Sequence, residues 1–316
     1  MLRFSVKSRK TDCRSTQMSK ILLFAGNGQL GQELLRALSV LGHVVTTTRS
    51  GMLSDGEPCE AADFNHPETL PDLLDRIQPA IVVNAAAYTA VDRAETDRDA
   101  AWRVNAEAPG LIARWCAAAG ATLVHYSTDY VFDGQGVRPY REEDPTDPVN
   151  VYGASKYAGE SAVRSAGGRH LIFRTAWVYA SHSANFLRTM LRIGAERDVL
   201  NVVADQFGTP TPAAVIADVT TQALAHPGGL SGTWHLTALG GTSWHGFAEA
   251  IFDAAVERGV LARAPKVLAI TAAEYPTPAR RPAYSRLDVS KLQSEFGIAL
   301  PTWQDGLVRV MDELAG

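Results

Sequence analysis

Short apolar runs alternate with amphipathic stretches over roughly the first half of the chain. Ile21–Ala25 is apolar throughout and runs into a glycine cluster. Gln29–Leu41 then places Leu30, Leu34, Leu35 and Leu38 on one face at helical spacing. Val44–Thr48 is rich in β-branched residues and predicts a second strand. Further along, the pattern predicts a helix over Pro67–Ile77, with proline near its start, and a buried strand over Ala80–Asn84. A long helix follows over Asp99–Ala119, stopped by Gly120. Thr122–Ser127 reads as a strand, Tyr152–Ser165 as a helix and Leu171–Ala176 as a strand. Strands that are apolar rather than alternating belong to a sheet covered on both faces. Their alternation with helices makes that sheet parallel and doubly wound, so the fold class is α/β. After Trp177 the pattern loosens. Helices are predicted over Asn185–Arg197, Ser243–Arg258 and Thr302–Leu314, and short strands over Val199–Val203 and Thr233–Leu236. Pro276–Pro282 is a loop rich in proline and arginine.

Composition narrows the partners. The 316 residues are 46% hydrophobic and 20% charged, with a net charge of -4. That is an ordinary globular balance, and it lacks the basic excess of a nucleic-acid binder. No apolar run has the length of a membrane span. The cysteines, Cys13, Cys59 and Cys116, are scattered and odd in number. They suggest neither a disulfide framework nor a zinc site, and point to a reducing, cytoplasmic setting. No HExxH pair or other metal motif is present, so no metal ligand is assigned. Residues 1–19 are basic and hydroxyl-rich, without the apolar centre of a secretory signal. They read as a disordered extension, or as residues preceding a start at Met18.

Gly26-Asn27-Gly28-Gln29-Leu30-Gly31 fits G-x-G-x-x-G. Taken alone the pattern is weak, and a plain strand-to-helix turn is its ordinary alternative. Here it follows a strand and opens a helix near the start of the fold, which is the context dinucleotide binding requires. The glycines let backbone approach a pyrophosphate, and the helix start offers free N–H groups. The predicted fold is thus a Rossmann-type doubly wound parallel sheet. Its dinucleotide-binding domain spans 20–176. A smaller C-terminal substrate lobe occupies most of 177–316, with segments returning to the first domain. The end of the second strand, Thr46-Thr47-Thr48-Arg49-Ser50, carries no acid for a ribose diol. Arg49 instead suits a 2′-phosphate, which favours NADPH and leaves NADH open. The alternative is a solvated arginine. Asp63 and Phe64, after a third strand, are placed to reach the adenine or ribose.

Tyr152 and Lys156 are four residues apart and share a helix face. A cation beside a phenol favours phenolate and lowers its pKa. Such a phenol can protonate a carbonyl oxygen while hydride reaches carbon, and Lys156 can also hold the nicotinamide ribose of the cofactor. An accidental helical pair is the alternative, although the chain has few lysines. His125-Tyr126-Ser127-Thr128-Asp129 ends a buried strand, and a hydroxyl there can hydrogen-bond a substrate oxygen. A lone hydroxyl at a strand end is more often a turn or cap; its combination with Tyr152 and Lys156 favours chemistry.

With these motifs the chain resembles the extended short-chain dehydrogenase/reductase superfamily. Within it, the chain is similar to the dTDP-4-dehydrorhamnose reductase family from about Lys20 to the C-terminus. The residues that carry the resemblance are Gly28–Gly31, Val83–Asp92, Ser127–Phe132, Tyr152-Gly153 with Lys156, Arg174–Tyr179, Asp205–Gly208 with Pro210-Thr211, Arg281-Pro282 and Ser285–Asp288. The resemblance implies catalytic roles for Thr128, Tyr152 and Lys156. It implies cofactor contacts at Gly28, Gln29, Leu30, Asp63, Phe64, Ala87, Tyr88, Thr89 and Tyr126, beside those read from the glycine cluster. It implies contacts with a dTDP-linked keto-sugar at Thr128, Asp129, Tyr152 and Trp177, and reduction of the sugar's C4 ketone. Two departures stand out. Ala25 replaces a frequent glycine. Glu33 matches one glutamate of a magnesium site that bridges some family dimers, but Ala214 stands where another is expected. The second departure argues against a magnesium-linked dimer and leaves a homodimer open. An epimerase or dehydratase of the same superfamily, or a non-catalytic regulatory subunit on the same fold, remains an alternative.

Overall fold

The structure is a computed structural model and describes residues 19–316. The predicted N-terminal extension lies outside them except for Ser19, which already belongs to the first strand. Seven strands form the central sheet: β1 Ser19–Phe24, β2 Gly42–Thr48, β3 Glu60–Ala61, β4 Ile81–Asn84, β5 Thr122–Thr128, β6 His170–Thr175 and β7 Gly232–His235. Their order is β7-β6-β5-β4-β1-β2-β3, and every pairing is parallel. The order in which strands are added reverses between β1 and β4, and the crevice above that point is where ligands bind in such sheets.

Both faces are covered, as the unbroken apolar strands require. Along β1, Ile21 and Leu23 enter one core and Leu22 and Phe24 the other. The first core packs α1 (Gln29–Leu38) against Val83, Val124, Leu171 and Phe173. The second packs α2 (Leu70–Ile77) and α3 (Ala108–Ala119) against Val82, Leu123 and Ile172. The next helix, α4 (Val151–Ser165), carries Tyr152 and Lys156. A separate core joins α5 (Phe186–Glu196), α7 (Trp244–Glu257) and α9 (Trp303–Ala315) through Leu187, Phe247, Phe252 and Leu307. Between these, α6 (Ala213–Ala225) and α8 (Ser290–Phe296) contribute Ile216 and Leu292 to the first sheet core.

Three local differences from the pattern have physical causes. The helix expected over Asp99–Ala119 is interrupted by a π-helical turn at Arg103–Glu107. Pro109 has no N–H to return to the carbonyl of Asn105, and a widened turn absorbs the gap. The helix at Pro67 begins as a single 3₁₀ turn, Pro67–Thr69, before α2. Helix α6 leaves little trace in the sequence because it is apolar on almost every side, with Ala213 through Ala217 buried in succession.

Candidate active site

Sterics fix the glycine turn. Ala25 has φ 65, a left-handed conformation that costs a residue with a Cβ about 1–2 kcal/mol. A Cβ on Gly26 would lie 2.2 Å from Thr46 Oγ1, and one on Gly31 would lie 2.0 Å from the Ala25 carbonyl oxygen. Neither position accepts a side chain without moving the turn. Gly28 caps α1 with no side-chain hydrogen bond. The first helical N–H groups have no intrahelical partners, and the residues that bear them line a cleft of about 560 Å³.

The same cleft collects most of the residues singled out in the sequence. Asn27, Gly28, Gln29, Leu30, Ala87 and Thr89 line one part, and Tyr126, Thr128, Asp129, Tyr152, Lys156 and Trp177 line the rest. Five candidates lie off it. Gly26 is buried beneath the turn against Thr46. Phe64 is a core residue, edge-on to Phe24 at 5.2 Å. The Tyr88 phenol turns away to donate to Asp97 at 3.0 Å. Arg49, 76% exposed, and Asp63 face each other at 3.6 Å beyond the ends of β2 and β3. The strand end therefore has an acid beside its arginine, supplied from fifteen residues further on, outside the segment Thr46–Ser50.

Helix α4 is held close to the turn after β5 and to the π-helical turn by its glycines. A Cβ on Gly153 would meet the Tyr130 carbonyl oxygen at 2.1 Å, and one on Gly159 would meet that of Asn105 at 2.0 Å. Asn150 caps the helix by accepting from Gly153 N at 2.8 Å, while its amide donates to Arg280 O at 2.8 Å. Lys156, 2% exposed, donates to the backbone carbonyl of Tyr126 at 2.5 Å. Burial pulls its pKa down to about 8, against the pull of Glu160. The Tyr152 phenol is pushed up to about 12 by burial, while the Thr128 hydroxyl beside it acts in the opposite sense. The sequence pattern alone suggested a lysine that lowers the phenol; in the structure desolvation is the larger effect and the ammonium serves the Tyr126 carbonyl. Thr128 takes the cap role weighed for it. It accepts from Tyr130 N at 3.2 Å as a cap and donates to Asp129 Oδ1 at 3.0 Å. Burial raises the Asp129 carboxyl to about 7, and its Oδ2 has no hydrogen-bond partner.

Beneath this face, Glu160 and Arg174 form a buried bidentate pair at 2.9 and 2.8 Å. Trp177, at φ 47, stacks on Trp244 with centroids 3.4 Å apart. A second cavity of about 810 Å³ opens beside Trp244, with Phe186, Gln206, Tyr275, Arg280 and Arg281 on its walls. The arrangement as a whole can seat a dinucleotide on the glycine turn and present a phenol, a hydroxyl and an ammonium to one bound group.

The family profile of the RmlD substrate binding domain matches residues 18–315. The chain belongs to this RmlD family. The dTDP-4-dehydrorhamnose reductase of Burkholderia thailandensis is 50% identical over 296 residues, covering 90% of this chain and 95% of that protein. The Escherichia coli K12 protein of the same name is 44% identical over 297 residues, covering 93% and 97%. Among solved structures, dTDP-4-dehydrorhamnose reductase from Bacillus anthracis in complex with NADP superposes with a TM-score of 0.84 at 34% identity, covering 93% of this chain and 99% of that one.

Several features of this RmlD chain were hidden in its sequence. Asn105, 1% exposed, exchanges hydrogen bonds with Tyr88 N at 2.8 Å and Tyr88 O at 3.1 Å and donates to Ser155 at 3.0 Å. It ties the loop after β4 to α4. An asparagine inside a helical pattern, four residues before a proline, was the available signal. Asp92 and Arg281, from two separate motifs, form one ion pair at 2.8 Å. Glu33 is engaged by Arg36 and by His182, the latter at 2.9 Å, while Ala214 is buried. Among the described residues, no group of three or more His, Cys, Asp or Glu side chains is placed to hold a metal. No described helix is long and apolar enough to cross a membrane.

Proposed function

We propose that this chain reduces the C4 ketone of dTDP-4-dehydro-L-rhamnose to dTDP-L-rhamnose at the expense of NADPH. The observation that carries the reading is the meeting of an uncapped glycine turn with Thr128, Tyr152 and Lys156 in one cleft. Its relatives bear the reductase's name over nearly their whole length, and one of them has been solved with NADP. The cofactor fits the residues present, because the first turn of α1 opens its free N–H groups into the cleft where a pyrophosphate is held. When bound, it supplies the hydride.

The chain's own residues handle the proton. The Tyr152 phenol, protonated across the neutral range with its pKa near 12, donates to the ketone oxygen. The Thr128 hydroxyl, turned from Asp129, can give its one proton to stabilise the phenolate left behind. Lys156 offers a buried ammonium within the same wall and would hold the nicotinamide ribose. Asp129 and Trp177 border the sugar. The second cavity, with its aromatic surfaces and guanidinium groups, suits the nucleoside diphosphate. In this reading 20–176 forms the dinucleotide domain and most of 177–316 the substrate lobe.

Incubation with NADPH and dTDP-4-dehydro-L-rhamnose tests the proposal through nicotinamide absorbance. One NADPH consumed per dTDP-L-rhamnose formed is expected. Sugar conversion without net cofactor consumption would instead identify an epimerase, and no turnover at all would favour a non-catalytic subunit.

A further inference from the structure

The middle residue of the glycine turn has its side chain committed to the protein. Gln29 Nε2 donates to the Val178 carbonyl at 2.9 Å, and Gln29 Oε1 accepts from Asn185 Nδ2 at 2.7 Å. The Asn185 amide also reaches the carbonyls of Ala180 at 2.9 Å and His182 at 3.0 Å. Its oxygen accepts from Arg188 N at 2.9 Å and so caps α5. Every polar atom of Asn185 is therefore engaged. One side chain joins the turn expected to hold a dinucleotide to the helix that lines the second cavity.

The linkage continues by packing. Phe186, the first residue of α5, lies 4.7 Å from Trp244, and Trp244 stacks on Trp177. Trp177 is bulky, yet it keeps a left-handed backbone immediately before Val178, the residue Gln29 holds. Such a conformation persists only where neighbours enforce it. Beside this path, Gln32 Nε2 donates to Asn27 O at 3.1 Å and contacts Ser183 Oγ at 3.5 Å. The start of α1 cannot move against the start of α5 without breaking several of these bonds at once.

We propose that Asn185 is a positioning residue that makes dinucleotide binding and nucleotide-sugar binding favour one another. The inference rests on the functional reading above, which places the two ligands at opposite ends of the linkage. A ligand resting on the glycine turn holds Gln29 in place and, through Asn185, steadies the α5–Trp244–Trp177 wall against motions that would part the two. A ligand against that wall then meets less ordering cost, and the benefit is reciprocal.

The test measures NADPH affinity by fluorescence titration, with and without saturating dTDP. In the wild type dTDP should tighten NADPH at least about fivefold, the lower end of ordinary coupling between sites. Asn185→Asp retains an oxygen for Arg188 N–H, at a helix start where a carboxylate is favourable, and removes the donors to Gln29, Ala180 and His182. It sets a carboxylate against three acceptor oxygens, so it should melt below the wild type while remaining folded, bind each ligand alone near the wild-type affinity, and lose the coupling. Asn185→Ser provides a second route should the first variant fold poorly: its hydroxyl still caps α5 for Arg188 N–H, is too short to reach Gln29, and should also lose the coupling. Coupling of wild-type size in a folded variant of either kind overturns the inference. So does a wild type that binds both ligands tightly but independently, with the functional reading left standing. A wild type that binds neither ligand overturns both.

Discussion

The glycine turn and the face of α4 border the same cleft and are built in opposite ways. The turn holds no ionisable side chain between Ala25 and Gly31, and contact between backbone atoms fixes its shape. The α4 face gathers Tyr152, Lys156 and the neighbouring Asp129, each moved from its ordinary pKa by burial. Glycines serve both, but differently. Gly31 lets the turn close on itself, whereas Gly153 and Gly159 bring a helix down onto other segments so that its side chains become desolvated. Binding is thereby assigned to fixed backbone donors, whose strength does not vary with pH. Chemistry is assigned to groups whose protonation does.

Changes on the two sides should therefore separate. The largest effect is expected from Gly31→Ala, because the new Cβ would lie 2.0 Å from a backbone oxygen that cannot rotate away. NADPH affinity should fall about a hundredfold, as for a displacement near 1 Å at a positioned site. Isothermal titration would check this, and near-normal affinity would mean that the turn tolerates a shift. On the α4 side, Lys156→Met should reveal the cost of the buried ammonium. The Lys156 pKa falls from 10.5 unfolded to about 8 folded, so the unfolded chain binds more protons between those values. The penalty is complete below pH 8 and gone above pH 10.5. Wild-type stability relative to the variant should thus rise by on the order of 3 kcal/mol across that window. Denaturant melts at both ends would show it, and a constant difference would count against a desolvated lysine. The smallest effect belongs to Arg49→Ala. The arginine is mostly exposed and already faces Asp63, so roughly a tenfold loss in kcat/KM with NADPH and little change with NADH are expected, at the low end for a charge-assisted bond. Equal losses with both cofactors would mean that Arg49 does not read the phosphate.

The two regions also differ in how plainly the sequence announces them. The turn is legible because its spacing is local: strand, glycines and helix follow within about a dozen residues, and Ala25 departs from the pattern at the position where φ turns positive. Tyr152 and Lys156 are legible for the same reason, being one helical turn apart. What surrounds them is not local. Asn105 reaches Ser155 across fifty residues, Asp92 reaches Arg281 across 189, and Gln29 reaches Asn185 across 156. No periodicity records such pairings. The π-turn at Arg103–Glu107 and the all-round apolar α6 were lost for a different reason: each departs from the amphipathic spacing by which helices are recognised. The Tyr152 pKa was misjudged because charge proximity can be read along a helix, whereas desolvation depends on what folds over it.

The division between binding and chemistry is tested most directly by Tyr152→Phe, assayed for turnover and for NADPH affinity on the same preparation. Loss of the phenol proton should lower kcat by about two decades or more. The glycine turn is untouched by this change, so NADPH affinity and melting temperature should stay at wild-type values. Near-normal turnover, or a loss of turnover matched by an equal loss of NADPH binding, would contradict the account.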